Sequence, residues 1–419
     1  MLKVVTSKAD VRKEFELSLD EIAREGARRM LIHCLNLEVE EYINRHSQER
    51  DDDGRRLVVK NGVSRPRTVT VGSGSIAIQA PRVDDRREGQ KFTSAILPPY
   101  LRKSPKVESL LPVLYLKGLS TNDFKSALAE FLGDGTLGLS PAAIVKLKRI
   151  WEAEHADWNQ RKLTKRYVYI WADGVNVEIR LGEDKKLCLL VIIGVTETGD
   201  KELLAVEGGY RESKDSWLAV LRSLVRRGFK APLLAIGDGA LGFWAALRSC
   251  EGFEKTREQR CWVHKIANVL DKLPKRLQAT AKEHLHEMMK ADTLADAEKE
   301  RDAFVTAFSD KHPKAVECLT KTWTELTAFF DFPAAHWQHL RTTNPIESSF
   351  ATVKLRTKVT RGAGSKETAE VMAFKLLKEC EKKWRAIRGA EEIENLLAGV
   401  AYKDGVVIPR DSHHEVAAS

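Results

Sequence analysis

Three carboxylates stand where an acid could do more than solvate a turn. Asp173 closes the apolar run "YVYIWAD", Asp238 closes "LLAIGD", and Glu347 sits within "TTNPIESSF". Glycine follows each aspartate, which leaves the backbone open to close approach. If the two runs are neighbouring strands of an open α/β sheet, their carboxylates converge at the edge where ligands bind. Two anions held together repel, and one takes up a proton unless a cation fills the gap. Ligation by oxygen alone selects a hard divalent ion, Mg²⁺ or Mn²⁺. With Glu347 as a third ligand, the site could hold two such ions, one activating a nucleophile and one stabilising the leaving oxygen of a phosphodiester. Each acid also has an ordinary reading. Asp-Gly after a strand is a common turn, and Asn344, Pro345 and Glu347 have the spacing of an N-cap, a first-turn proline and a capping-box acid.

The residues around these acids bear on the choice. Lys354, Arg356, Lys358 and Arg361 follow Glu347 within a few turns and end at "RGAGS". They form either a clamp for a DNA backbone or a solvated helix face. In "RCWVHK", Cys261 and His264 stand in C-x-x-H spacing, with no second Cys/His pair at a distance that would complete a four-ligand zinc site. His264 could touch DNA or pack beside the acids. Trp262 either stacks on an unpaired base or fills a core.

The elements that must position these groups read as a mixed-sheet α/β domain. Three close apolar runs, "YVYIWADG", "LCLLVIIGV" and "KELLAVEGG", precede a helix, a strand, a second helix and a last strand. Short turns predict antiparallel pairing first, then crossover helices that make the later strands parallel. This core covers residues 163–265. Helix formers dominate 266–337, an α-helical insertion, and the core resumes over 338–400 with the Glu347 helix. Residues 401–419 form a tail, of which "PRDSHHEVAAS" is expected to be disordered.

The N-terminal half divides into a helical region (1–50), a small β element (51–100) and a helix-turn-helix-like DNA-binding region (101–162). Ser18 and Glu21 have capping-box spacing ahead of an amphipathic helix suited to packing or dimerisation. Lys146, Lys148 and Arg149, on the third helix of the helix-turn-helix, would face a groove or phosphates. Any three-helix bundle shares that pattern.

Composition permits a nucleic-acid partner. The 419-residue chain is 43% apolar and 31% charged, and 69 basic against 60 acidic residues leave a formal charge of +9. Such an excess favours a polyanion. The six cysteines are irregularly spaced, unlike a secreted disulfide framework. The N-terminus lacks the apolar core of a signal peptide, and the longest apolar run is half of what a membrane span needs. A soluble cytoplasmic protein is expected, without a membrane partner.

Taken together, "WADGV", "IGDGALGFW", "QRCWVHKIANVL" and "RTTNPIESSF" resemble the signature blocks of mutator-type bacterial insertion-sequence transposases, and "LYLKGLSTNDF" and "APRVDDRR" resemble that family's N-terminal half. The resemblance implies an RNase H-like catalytic domain with a helical insertion before the last acid. It implies that Asp173, Asp238 and Glu347 are a DDE triad holding two Mg²⁺ or Mn²⁺ ions, and that Cys261 and His264 are the family's C-x-x-H signature, of unassigned role. The implied reaction is metal-dependent cleavage at the ends of the element, then attack of the freed 3′-hydroxyl on target DNA. Implied partners are double-stranded DNA, as terminal inverted repeats and target, and a second copy of the chain, in a bacterial cytoplasm and on the nucleoid when DNA-bound. Two other readings stand beside it: a DNA-binding regulator with a silent α/β domain, and a structure-selective nuclease with the same metal chemistry.

Overall fold

Ser18 opens the first helix as its spacing predicts. Its hydroxyl accepts from the Glu21 N–H, and the Glu21 carboxylate accepts from the Ser18 N–H at 2.7 Å, closing a capping box at the head of α1 (Leu19–Arg45). The computed structural model describes residues 18–116, 141–180, 185–209, 211–239, 241–359 and 362–409. They fall into two compact units, Met1–Leu147 and Lys148–Ser419.

In the first unit, β1 (Val58–Val63) pairs antiparallel with β4 (Pro81–Asp85), and β2 (Arg67–Val71) with β3 (Gly74–Ile78). Alternation puts Val69, Ile76 and Ile78 on one face, where they bury against Leu35 of α1 and Leu97. Helix α2 (Pro105–Leu116) follows, and α3 (Pro141–Gln160) runs across the unit boundary. These are two of the three helices expected of a helix-turn-helix. The middle one, residues 120–133, lies outside the described residues.

The second unit holds β5 (Tyr167–Glu178), β6 (Lys186–Thr196), β7 (Lys201–Gly209), α4 (Lys214–Arg226), β8 (Leu234–Gly237), α5 (Leu241–Ser249) and β9 (Arg257–Arg260). The sheet order is β7-β6-β5-β8-β9. Strand β6 is antiparallel to both of its neighbours, and β5, β8 and β9 are mutually parallel. This is the expected sequence of hairpins followed by crossovers. The continuous apolar run of β6 is buried from Leu187 onward because helices cover both faces of the sheet. On one face, Ile170, Ala172, Leu190 and Ile192 pack against Trp217, Leu221 and Leu224 of α4 and against Phe243 and Trp244 of α5.

Between β9 and the helix that carries Glu347 come α6 (Trp262–Leu270), α7 (Lys275–Lys290), α8 (Leu294–Phe308), α9 (Pro313–Thr320), α10 (Trp323–Thr327) and the single-turn α11 (Trp337–Leu340). Helices α12 (Asn344–Val359), α13 (Lys366–Glu381) and α14 (Glu392–Leu397) follow, and a short ribbon of β10 (Tyr402–Lys403) and β11 (Val406–Val407) closes the described chain. That ribbon lies within the expected tail, whose remaining residues from 410 onward lie outside the described residues. Among the described residues no helix is long and apolar enough to cross a membrane.

Candidate active site

Period two along β5 decides where the first acid points. Tyr169, Trp171 and Asp173 share the face opposite Ile170 and Ala172. The Tyr169 hydroxyl lies 2.7 Å from His336 Nδ1, and Trp171 Nε1 donates to the His339 carbonyl at 3.1 Å. Those two contacts fasten the segment just before α12 to the face that carries Asp173, and α12 packs on β5.

Asp173 is not at the end of its strand, as the run "YVYIWAD" suggests. β5 continues to Glu178 because β6 pairs with it as far as Lys186. β8 stops earlier, with Gly237 opposite Ala172, so Asp173 stands level with the point where its parallel neighbour ends and Asp238 begins. The main chain at Asp238 is pinned: its carbonyl accepts from Trp244 Nε1 at 2.9 Å and from Arg260 Nη1 at 3.1 Å.

Glu347 is reached through a helix start that differs by one residue from the sequence reading. The helix begins at Asn344, with Thr343 ahead of it, and the Ile346 and Glu347 N–H groups donate to the Thr343 carbonyl at 3.0 Å. Glu347 therefore falls in the fourth helical position rather than that of a capping-box acid. Its carboxylate instead accepts a short hydrogen bond from the Thr343 hydroxyl.

The three acids line one cleft of about 290 Å³ with Gly174, Glu212, His264, Phe350, Ala351 and Lys354. Burial, followed by the charges of Asp238, Glu212 and Glu347, raises Asp173 to about 7, although the Gly174 N–H donates to its carboxylate at 2.8 Å. Burial and the charge of Asp238 also raise Glu212. Crowded carboxylates that cannot all stay ionised make a donor set that fits hard divalent cations, which relieve the repulsion.

His264 packs beside the acids, one of the two places the sequence left open for it, and Cys261 joins it there. The ligand-type atoms of Cys261, His264 and Glu347 lie within 4.8 Å of one another. The space among them is shared with the buried Thr343 hydroxyl, 3.2 Å from Cys261 Sγ, 3.5 Å from His264 Nδ1 and bonded to Glu347. The Thr343 N–H also donates to Cys261 Sγ at 3.4 Å. The C-x-x-H pair thus meets Glu347 through a hydrogen-bonding hub. Burial opposes ionisation of Cys261, but hydrogen bonds from His264 and Thr343 outweigh it and lower the thiol. The bond to Cys261, aided by the charges of Cys261, Glu347 and Asp238, overcomes burial and raises His264 to about 9. Replacing Thr343 with Val leaves the Glu347 carboxylate without that hydroxyl donor and should cost about 1–3 kcal/mol, read as a lower midpoint in thermal unfolding.

The basic residues separate. Lys354 lines the cleft, and Lys358 is exposed one turn further along α12, on the face that begins with Glu347 and Ala351. Arg356 is only 3% exposed, which corrects its place in a phosphate-facing run: two positions from Lys354, helical geometry turns it inward. Arg361 lies outside the described residues. On α3, Lys146 and Arg149 are exposed and Lys148 is half-buried, and none of them lines the cleft. Trp262 is fully buried and donates to the Leu326 carbonyl at 2.9 Å, so it is a core residue rather than a base-stacking platform.

Sequence reading missed Glu212 and Thr343. Glu212 stands one residue before Ser213, the cap of α4, and "GYRESKDS" reads as an ordinary polar loop. The available signal was topological. Two antiparallel pairings make β7 run parallel to β5, so the chain leaving β7 emerges at the edge where Asp173 and Asp238 lie. Two glycines leave Glu212 its room. A β-carbon on Gly174 would sit 2.3 Å from Glu212 Oε1, and one on Gly242 would sit 2.0 Å from the Glu212 carbonyl oxygen. Gly242→Ala sets that β-carbon against main chain, which cannot swing aside. It is expected to cost about 1–3 kcal/mol, read as a lower midpoint in thermal or denaturant unfolding.

The fold and cleft define an α/β protein with a carboxylate-lined site at its sheet edge. The family described as "Transposase, Mutator family" matches residues 2–387, and the chain belongs to that family. Similar proteins include the transposase for insertion sequence element IS6120 from Mycolicibacterium smegmatis, 47% identical over 305 residues, which are 73% of this chain and 93% of that protein. The transposase for IST2 from Acidithiobacillus ferrooxidans is 49% identical over 283 residues, 67% of this chain and 95% of that protein. The transposase for ISRM5 from Rhizobium meliloti is 26% identical over 373 residues, 89% of this chain and 91% of that protein. Membership of a transposase family implies, in general terms, DNA binding with DNA cleavage and transfer.

Proposed function

We propose that this chain is the transposase of a bacterial insertion sequence and acts on its terminal inverted repeats through a DDE triad of Asp173, Asp238 and Glu347. The observation that carries this reading is the convergence of three acids, 65 and 109 residues apart in the chain, on one cleft that also contains Lys354. The mixed five-stranded sheet, with helices inserted between β9 and the last acid, supports an RNase H-like core.

In this reading the carboxylates hold two Mg²⁺ or Mn²⁺ ions, which when bound supply the positive charge that lowers the pKa of water and stabilises the leaving oxygen. Thr343 fixes the rotamer of Glu347. Lys354 and Lys358 hold the DNA backbone along α12, and the His264 imidazolium adds positive charge beside a phosphate. Water attacks phosphorus at the element end, the bond to the 3′-oxygen breaks, and a 3′-hydroxyl is released. That hydroxyl attacks a target phosphodiester and displaces its 3′-oxygen, with no covalent bond to the protein. End recognition falls to the N-terminal half, with Lys146, Lys148 and Arg149 on α3. Pairing two ends calls for at least a dimer.

The test uses the full chain with Mg²⁺ or Mn²⁺ on a terminal-repeat duplex, a scrambled duplex and a branched DNA. End-specific nicking followed by a strand-joined product supports the proposal. Cleavage of branched DNA without end preference or joining replaces it with a nuclease. End binding without cleavage in either metal replaces it with a regulator.

A further inference from the structure

We propose that Glu212 is a fourth carboxylate of the metal site, contributing an oxygen to a divalent cation shared with Asp173 and Asp238. The inference rests on the reading of the cleft given above and adds to it a residue outside the triad.

Glu212 lines the cleft with all three triad acids. Its position is sterically prepared on two sides. Oε1 lies only 2.3 Å from where a β-carbon of residue 174 would be, so the carboxylate packs closely over the bare backbone immediately after Asp173. Its own carbonyl abuts the first turn of α5 at Gly242, the helix that follows Asp238 in the chain. A side chain at either glycine would collide with Glu212 where it now sits. Two elements, each following one of the aspartates, therefore leave space for the same glutamate.

Among the described residues, no hydrogen bond or close ion pair accounts for the Glu212 carboxylate; across the cleft it meets the charge of Asp238, which outweighs the opposing charge of His264. A glutamate kept for structure alone would face a donor. One that faces anions lowers stability unless a cation binds among them. Mg²⁺ prefers six oxygens in a near-octahedral set and retains several waters, so a further protein oxygen tightens the site without closing it to a phosphate.

The experiment compares the full-length wild type with Glu212→Gln and, in parallel, Asp238→Asn. Mn²⁺ binding is measured by calorimetry, thermal unfolding is followed with and without Mn²⁺, and nicking of a terminal-repeat duplex is followed against Mg²⁺ concentration. Glu212→Gln is expected to weaken Mn²⁺ binding about 10- to 100-fold. It should also shift the Mg²⁺ requirement for nicking upward, with recovery at high metal. Without metal, the variant should unfold at the same or a higher temperature than wild type, because like-charge repulsion is relieved. A purely structural Glu212 would instead lower that temperature and leave metal affinity unchanged, which overturns the inference. Wild-type Mn²⁺ affinity in Glu212→Gln alongside loss in Asp238→Asn sinks the role of Glu212 while sparing the triad. Wild-type affinity and nicking in both variants sink the underlying reading as well.

Discussion

Asp238→Ala should abolish strand cleavage, with a loss on the order of 10³-fold or more, because a group acting in a preorganised charged site cannot be replaced by solvent. Asp238 sits where β8 ends beside Asp173, and its main chain is held by Trp244 and Arg260. Those two bonds go to the carbonyl, so they survive removal of the carboxylate and the local backbone should persist. The variant is therefore expected to fold, to bind a terminal-repeat duplex as wild type does, and to lose nicking and strand joining together. The joint loss matters because both steps would use one metal site. A gel assay that resolves nicked from joined product, with end binding measured on the same preparation, checks it. Unchanged nicking by a folded Asp238→Ala protein would remove the proposed chemistry.

The second large effect is with pH, and it runs in opposite directions for two measurements. Burial, reinforced by the neighbouring acids, lifts Asp173 from an ordinary 3.8 to about 7. In the metal-free protein the folded state thus retains a proton that the unfolded chain has released. The stability contributed by Asp173 is complete below the ordinary carboxylate value and is lost as pH rises toward 7. Metal binding needs the carboxylate deprotonated, so affinity should fall about tenfold for each pH unit below 7 as one proton competes with the cation. Metal-free unfolding temperature should therefore drop between about pH 4 and 7 while Mn²⁺ affinity climbs. Asp173→Asn should make the first trend shallower, leaving the part carried by Glu370, which burial also raises to about 7, and should remove most of the binding. A wild-type protein whose Mn²⁺ affinity is level from pH 5 to 8 would show that Asp173 neither takes up that proton nor ligates the ion.

Much of this site was legible before any coordinates. Asp173 and Asp238 end or interrupt apolar runs that only strands accommodate, and the order of strands and helices fixed which pairs would be antiparallel and which parallel. Glu347 followed a helical segment and fell in the first turn of a helix that carries basic residues. Local rules were less secure at the ends of elements. Asp173 proved internal to β5 because a long antiparallel partner extends the strand, and Asn344 proved helical because Thr343 takes the position ahead of it. Arg356 matched a basic run by composition but points inward by helical phase.

Sequence by itself determined the element types, the family resemblance and the three acids, since periodicity and motif spacing are properties of neighbouring residues. Only the tertiary structure decided that Glu212 faces those acids, that Thr343 joins Cys261 and His264 to Glu347, and that Trp262 is core. Each of those depends on segments far apart in the chain meeting through sheet topology and close glycine contacts, and no local pattern encodes such a meeting.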